Sequence, residues 1–529
     1  MDKIESKDFD VIIIGAGHNG LAAAATLAGK GKSVCVVERE AAIGGMSKTV
    51  TLVEGARGPQ IAHLLYNLNP KVARELGIGG AIPLGMHVLD TIALAEDGRH
   101  VLIRDSKAIY ADGTVHPDAA AYEALHKRLV RFAGLLGKLA LKSPPAPGGG
   151  LMELDTWREL ASLGGFGLGL KRLGKREMRE FLRILLSNAY DLILDDLADG
   201  PLAGALAADS VRGAFAGPRS PGTVFSLMYR LGNGGGASLP IGGMGAVADA
   251  FAEAARRKGA DIRTATGVAR LMVADDHVQG VVLADGREIN ARAVMMNGGA
   301  MSGARLAGLE HFDVEAARRL RNIRAKGTAA KVNLVLSAAP HFTGLTEEQT
   351  SARLLIAPSA ADVERAFNPA KYGEISSDPV IEAVIPSLRD NTLCTGNQHV
   401  LSAIVSYAPY HLEGGWDDAA RGHLLALTLD RLEQFAPGLK ALVVHSEVLA
   451  PPDIEALTGA PGGHWHHAEM GLDQILNIRP VNQMGRYATG LGGFYLCGAS
   501  AHPGGDVMGA AGRNAAMQLM RDGEVRSWR

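Results

Sequence analysis

The chain has 529 residues, of which 47% are hydrophobic and 21% charged, with a formal net charge of −2. That length is too great for one simple core, so two or more domains are expected, and the near-neutral charge balance gives no global electrostatic case for nucleic-acid binding. The three cysteines, Cys35, Cys394 and Cys497, include no CxxC pair, which excludes a disulfide framework, a zinc ribbon and a dithiol redox centre.

No uninterrupted apolar run approaches the roughly 20 residues that span a bilayer, and the short stretch ahead of Gly15 leaves no space for a cleavable signal. A cytoplasmic chain is expected, either free or held peripherally on the inner face of a membrane. From Val11 to Ile14 an apolar strand runs into Gly15-Ala16-Gly17-His18-Asn19-Gly20. An alanine-rich helix over Leu21 to Lys30 and a second strand from Ser33 to Val37 complete a βαβ unit that closes on Glu38 and Arg39. Gly15 allows the tight strand-to-helix turn, Gly17 lets the backbone approach a pyrophosphate, and Gly20 lets the helix lie close on the strand. His18 and Asn19 stand in the glycine run ahead of the helix, whose N-terminus offers unpaired N–H groups and a positive dipole end to phosphates. Glu38 stands where a carboxylate accepts hydrogen bonds from ribose hydroxyls. A dinucleotide site is therefore expected, and Gly44-Gly45-Met46 and Gly58-Pro59 are turn signals that can bring more backbone against the same ligand.

From about Lys71 to Gly236 the pattern changes to amphipathic helices, interrupted by the connector Ser143 to Gly150. The segment Phe166 to Leu186 interleaves Lys171, Arg172, Lys175, Arg176, Arg179 and Arg183 with Leu168, Leu170, Leu173, Phe181 and Leu182. It reads either as a solvated or subunit-contact face or as a basic surface for an anionic membrane. The amphipathic stretch Leu125 to Leu141 is equally open. Next, Leu239 to Gly245 leads into a helix over Ala246 to Lys258. Short strands at Asp261 to Thr264, Val268 to Val273, Val278 to Leu283 and Glu288 to Ala291 make a β-meander that returns to the sheet at Ala293 to Asn297. Mixed strand and helix follow from Arg318, including a strand at Ala329 to Leu336. Gly493 to Cys497 is a last short strand, and Met508 to Met520 a small-residue helix. The order suggests a nucleotide domain in three segments, 1–75, 237–310 and 475–529, with a second domain inserted as 76–236 and 311–474.

The run His464-Trp465-His466-His467 has no Cys or acidic partner at a usual metal spacing, so it reads as a wall of a substrate cavity, and no metal is expected. His467 and Arg479-Pro480 lie in the stretch that leads back to the nucleotide domain. In the C-terminal block, Gly498, Gly504 and Gly505 permit close backbone approach, and the helix beginning near Met508 aims its dipole at whatever lies before it. His502 and Asp506 are the candidate catalytic pair, Asp506 to accept a substrate proton or orient a water and His502 to assist. Loop-structuring hydrogen bonds would use the same two side chains. No second GxGxxG follows a strand, since Gly232 to Gly236 lacks one, so electrons are expected to leave to oxygen, a quinone or another diffusible acceptor.

Three blocks, DVIIIGAGHNGLAAAATLA, LPIGGMGAVADAFAEAARRKGADIRTATGVARLM and FYLCGASAHPGGDVMGAAGRNAA, resemble the phytoene-desaturase-like flavoproteins. The likeness is greatest to the branch called pyridine nucleotide-disulphide oxidoreductase domain-containing protein 2, which shares the HPGG-x-VMGAAGRNAA ending. The resemblance implies an α/β fold: a glutathione-reductase-like Rossmann FAD domain, discontinuous in sequence, with an inserted α+β substrate domain. It implies a tightly held FAD, with Glu38 on the adenosine ribose and Val268 meeting the adenine side through its backbone. Gly498, Gly505, Asp506, Val507 and Met508 would stand beside the flavin ring. The expected reaction is hydride removal from an apolar, polyene or lipid-like small molecule. Amine oxidation on the same architecture, a redox-neutral FAD isomerase and a non-catalytic FAD-stabilised interaction protein are the alternatives, and a homo-oligomer stays open. Amine oxidation usually needs an aromatic cage, whereas aromatic residues are 5% of this chain.

Overall fold

The computed structural model describes residues 9–83, 88–144, 154–232 and 235–523. The βαβ unit consists of β1 (Phe9–Ile14), α1 (His18–Ala28) and β2 (Val34–Val37). β1 and β2 pair in parallel, with Val11 opposite Val34 and Ile14 opposite Val37. Every residue of the two strands except Asp10 is buried, as a parallel sheet covered on both faces requires. The other strands of this seven-stranded sheet come from far along the chain. Asp261–Arg263 lies outside β2, while Glu288–Met296 lies on the other side of β1 and carries Phe494–Leu496 beside it. Ile14, Met296 and Leu496 are level in the register. The three loops that follow them therefore emerge side by side at the carboxyl edge, where open α/β sheets bind ligands.

The meander differs from its reading in two respects: Asp261–Arg263 is not its first strand but pairs in parallel with β2 at the opposite edge of the sheet, and its last strand does not stop at Ala291. Glu288–Met296 is one continuous strand, whose first residues pair antiparallel with His277–Leu283 and whose remainder pairs in parallel with β1. Arg292, which interrupts the apolar run, does not break the strand because Asp10 of β1 faces it at 3.4 Å.

The second sheet has eight strands, in the order Val443–Leu449, Ala329–Leu336, His399–Ser406, Ile381–Val384, Arg353–Ile356, Thr91–Ala93, Val101–Arg104 and Lys107–Tyr110. All neighbours are antiparallel except Arg353–Ile356 with Thr91–Ala93. The last three strands correct the all-helical reading of Lys71 to Gly236. They are only three or four residues long, too short for a period of two to register. One face of the sheet packs on the helix Asp418–Phe435 through Leu424, Leu432 and Phe435.

The helix Ala119–Leu139 buries Tyr122, Leu125, Leu129 and Phe132 in one cluster with Leu227 and Met228 of the helix Thr223–Leu231. The apolar stripe from Leu125 is therefore core. The basic segment lies on the helix Leu154–Leu185, which kinks at Gly174 with φ 78°. There Glu177 pairs with Arg131 and Glu180 with Arg183, Phe181 and Ile184 are buried, and Leu168 and Leu182 are exposed. Residues 145–150 of the connector, Asn233 and Gly234 of the glycine run, and the side chains of Phe166 and Leu170 lie outside the described residues. No described helix is long and apolar enough to cross a membrane.

The C-terminal helix Ala510–Asp522 lies against α1 so closely that a Cβ on Gly512 would stand 1.8 Å from the Asn19 carbonyl oxygen. Gly512→Ala is expected to destabilise the chain by roughly 1–3 kcal/mol through overpacking. Gly422→Ala, on a helical face with open space around it, is expected to gain up to about 1 kcal/mol. Urea unfolding midpoints of the two variants check this pair.

Candidate functional site

A cavity of about 590 Å³ lies at the carboxyl edge of the first sheet, and its far wall comes from the second. α1 begins at Gly17 with no side-chain cap and no acidic residue in its first turn, so its dipole end and first N–H groups are left for a ligand. The Gly44 N–H donates to the Ala16 carbonyl at 2.9 Å, and Gly44 bridges Gly17. This ties the loop Gly44–Met46 to the glycine turn. Asn297, just past the central strand, donates from Nδ2 to the Gly15 carbonyl at 3.2 Å. A Cβ on Gly17 would meet that same Nδ2 at 2.8 Å. Glu38 is buried, with Oε2 accepting the Ala16 N–H at 2.7 Å and Oε1 accepting the Glu40 N–H at 3.0 Å. A carboxylate has about four lone-pair sites, so acceptor capacity remains on the cavity side. Thr266, Gly267, Val268 and Ala284 complete this end.

The opposite wall rests on a register row. Lys331 stands opposite Ile404, and Ile404 opposite Glu382, on three adjacent strands. Their side chains leave the same face, with Lys331 and Glu382 two strand spacings, roughly 10 Å, apart. Glu382 accepts from Arg353 Nε at 2.6 Å, Tyr66 Oη at 3.1 Å and Arg212 Nη2 at 3.3 Å, and His63 Nε2 lies 2.9 Å from it. Burial alone would raise its pKa, but Arg212, Arg353 and His63 hold the carboxyl well below the usual carboxylate range. Arg353 also reaches Asp209 at 2.6 Å, and Arg230 pairs with Asp209 at 3.0 Å. Arg212 lies over the Tyr66 ring, 4.3 Å from its centroid. Lys331 is 1% exposed, and its amine has no hydrogen-bond partner among the described residues. Burial pulls it down to about 7, against the opposing pull of Glu382 and Glu447. Ile61, Leu64, Ala330, Ile404, Ile454 and Leu457 supply apolar lining.

Of the residues proposed from sequence, Gly15, Gly17, His18, Asn19, Glu38, Arg39, Gly44, Gly45, Met46, Val268, Asp506 and Val507 line this cavity. His18 hydrogen-bonds the Asp506 backbone, and burial pushes its ring down to about 4. Asp506 adopts φ 60° and accepts from Asn67 Nδ2 at 2.7 Å. Gly20 sits behind the wall, where a Cβ would strike the Gly15 carbonyl at 2.3 Å. Gly498 packs on the Asn297 carbonyl, Gly505 on the His466 ring, and Met508 is buried. These three shape the site without lining it.

Two readings are corrected. Gly58 and Pro59 do not turn toward the cavity. They belong to the strand Ala56–Pro59, paired with Thr49–Val53, with Gly58 against Leu52 and Val400 and the Pro59 carbonyl accepting from Asn333. His502 is turned away as well: its Nε2 lies 3.0 Å from the Leu139 carbonyl, and burial pushes the ring down to about 4. It fastens the C-terminal block to the helix Ala119–Leu139 and does not assist Asp506. Trp465 and His467 line the cavity, while His464 and His466 are buried behind them. Arg479 is fully buried and donates to the carbonyls of His466, Ala468, Glu469, Gln474 and Ala499, which holds this segment in place. The sequence reading did not pick out Asn297, Lys331, Arg212, His63, Tyr66 or Glu382. For Lys331 a signal existed, since Lys331 and Asn333 alternate with apolar residues in the strand Ala329–Leu336.

A match to the family model of flavin-containing amine oxidoreductases extends over residues 20–520. The chain belongs to that family. A Mus musculus relative, pyridine nucleotide-disulfide oxidoreductase domain-containing protein 2, is 32% identical over 97% of this chain and 94% of its own length, and so stands in the branch that the sequence blocks resemble. A limonene dehydrogenase component from Castellaniella defragrans is 23% identical over 99% of this chain and 96% of its own. The solved structure of cyclohexylamine oxidase from Brevibacterium oxydans shares the fold, with a TM-score of 0.58 at 16% identity over 98% of this chain and 99% of that one. FAD is the cofactor of this flavin-dependent oxidoreductase. The residues present fit it: the uncapped start of α1 with Gly15 and Gly17 for the pyrophosphate, Glu38 for the adenosine ribose, and Val268 for the adenine side. Asp506 and Val507, of the C-terminal block, would remain for the flavin end.

Glu38→Gln removes one charged acceptor at the ribose position and is expected to weaken FAD retention roughly tenfold, read as flavin absorbance per protein after desalting. Lys331 yields a pH-dependent expectation. Its folded pKa of about 7 lies below the unfolded value of roughly 10.4, so the folded chain is penalised in full below about 7 and the penalty fades as pH rises toward the unfolded value. Lys331→Met should therefore raise the unfolding midpoint, by more at acid than at alkaline pH. A gain that grows with pH would contradict this account.

Proposed function

We propose that the protein is an FAD-dependent dehydrogenase that takes hydride from a largely apolar, lipid-like small molecule lying between the two sheets and releases the electrons to oxygen, a quinone or another diffusible acceptor. The observation that carries this reading is the pairing, in one cavity, of a nucleotide cradle with a second wall lined by Ile61, Leu64, Ala330, Ile404, Ile454 and Leu457. Bound FAD supplies a two-electron acceptor. The residues of the chain do the rest. The aliphatic wall excludes water and orients the chain of the substrate. Asp506, held by Asn67 and by the His18 contact to its backbone, takes the proton that leaves with the second C–H bond. A relative named for limonene dehydrogenation supports an apolar substrate, whereas Arg212 and Lys331 in the wall oppose an ammonium one.

The anaerobic visible spectrum of the flavin-loaded protein, before and after an apolar extract of host cells is added, tests this. Bleaching of the flavin bands is expected, and Asp506→Asn should slow it by roughly a hundredfold with flavin content retained. Bands that stay unchanged would overturn the dehydrogenase reading.

A further inference from the structure

We infer that the second half of the helix Leu154–Leu185 is a docking surface for an anionic lipid bilayer, with Lys175, Arg176 and Arg179 set against the head groups and Leu182 and Leu186 entering the boundary beneath them. The inference concerns where the protein sits and stands apart from the reaction proposed above.

Gly174, at φ 78°, divides the helix, and the part after it is anchored by one face. Phe181 and Ile184 are fully buried in one cluster with Leu129 and Phe132 of the helix Ala119–Leu139. The opposite face is left to solvent. Lys175, Arg179, Leu182 and Leu186 follow one another at spacings of four, three and four residues, which makes a single stripe along a helix, and Arg176 stands beside it. The stripe runs for roughly 16 Å. All five side chains are exposed, with Leu182 at 51% and Leu186 at 64%. Ahead of the kink, exposed Leu168 with Lys171 and Arg172 repeats the combination at neighbouring positions of the helix surface.

Two features of this face point to what covers it. The first is charge. The chain as a whole carries a formal net charge of −2, yet Lys171, Arg172, Lys175, Arg176 and Arg179 form no ion pair among the described residues. The two acids of the segment are engaged, Glu177 by Arg131 and Glu180 by Arg183. Asp195 and Asp196 act on Arg183 rather than on the stripe, and Asp196 is itself paired with Arg128. The second feature is the leucines. Single exposed leucines are ordinary on a protein surface, but three on one basic segment, two of them in phase with its cations, form a pattern. A nucleic acid would attract the same cations and give the aliphatic side chains no partner. A bilayer interface accepts both, since anionic head groups meet the lysines and arginines while the leucines leave water for the acyl boundary. The cations also stand on long side chains along a convex helix, which suits a diffuse sheet of charge better than a shaped protein surface. Phe181 and Ile184 hold the helix to the core in advance, so the docking face is formed before any bilayer meets it.

Co-sedimentation of the FAD-loaded protein with phosphatidylcholine vesicles, with and without roughly a third of phosphatidylserine, tests this. Binding is expected to the anionic vesicles alone and should fall as salt rises from about 0.1 to about 0.5 M. The combined variant Lys175→Gln, Arg176→Gln and Arg179→Gln should bind them roughly a hundredfold more weakly, at about fivefold per cation. Leu182→Ser with Leu186→Ser should weaken binding roughly tenfold. Because all five side chains are exposed, flavin content and the unfolding midpoint are expected to match the wild type in both variants, which shows that the fold is intact. No binding to anionic vesicles at low salt, equal binding to neutral ones, or binding that survives the loss of the three cations would overturn the docking surface. So would binding that ignores the leucine pair, the result expected of a purely electrostatic site for an acidic protein or a nucleic acid. Bleaching of the flavin by the apolar extract is read without vesicles, so the dehydrogenase reading and the docking surface stand or fall separately.

Discussion

Asn297 occupies the point where three strand ends meet, and the ligand site depends on how tightly the chain closes around it. Its backbone N–H donates to the Ile14 carbonyl at 2.9 Å, and its side-chain amide donates to the Gly15 carbonyl. A Cβ on Gly15, Gly17 or Gly20 would come within 3.4 Å, 2.8 Å or 3.1 Å of the Asn297 side chain. On the other side a Cβ on Gly498 would stand 2.1 Å from the Asn297 carbonyl oxygen. The glycines of the first turn therefore do more than permit an unusual backbone at Gly15, with φ 98°. They make room for an amide from a distant strand, which then fixes the turn that presents α1 to the cofactor. Segments some 280 and 480 residues beyond the first turn are thereby committed to one edge of one sheet.

The second sheet is organised by a different force. Glu382 collects donors from the segment carrying His63 and Tyr66, from Arg212 and from the strand Arg353–Ile356, and Arg353 passes the network on to Asp209 of the helix Pro201–Ser210. Each group is buried or nearly so, and withdrawing one partner leaves a charge in a medium that solvates it poorly, a loss of roughly 3–5 kcal/mol for pairs of this kind. The network therefore gives position more than it gives net stability. It holds the cavity-facing Arg212 and Tyr66 in one arrangement relative to the strand that carries Lys331.

The glycine turn of the first constraint could be read in the sequence; the distant Asn297 that closes it and the second constraint could not, for a reason of distance along the chain. In β1, α1 and β2 the turn glycines, the helix and Glu38 lie within one short stretch, and each position answers a local need. The second sheet joins Thr91–Ala93 to Arg353–Ile356 in parallel and sets both beside strands from beyond residue 380, and no local periodicity reports such a pairing. Gly58-Pro59 has the composition of a turn, yet it forms the end of a hairpin strand, one of the places where a residue without an N–H is tolerated. His502 sits beside Asp506 in sequence, but packing turns it to a carbonyl of the helix Ala119–Leu139. Lys331 and Asn333 are the exception. A cation and an amide at alternate positions of an otherwise apolar strand place two polar groups on one face of a sheet, which is what the structure has.

The two walls of the cavity are built by different means, one mainly from backbone and the other from strand side chains. The first sheet offers FAD backbone groups, the start of a helix and one carboxylate, Glu38, whose place follows from the end of β2. Side-chain substitution there has little freedom, because each glycine is pinned by a neighbour within van der Waals distance. The second sheet presents to the cavity side chains standing on a regular register, Lys331 and Ile404 among them, and a strand accepts a new side chain at such a position without moving its backbone. One exchange at Lys331 or Arg212 changes the charge that the cavity presents and leaves the Asn297 junction untouched. A side-chain change on the second wall leaves the cofactor cradle as it is, which is why the fold by itself does not name the molecule that is oxidised.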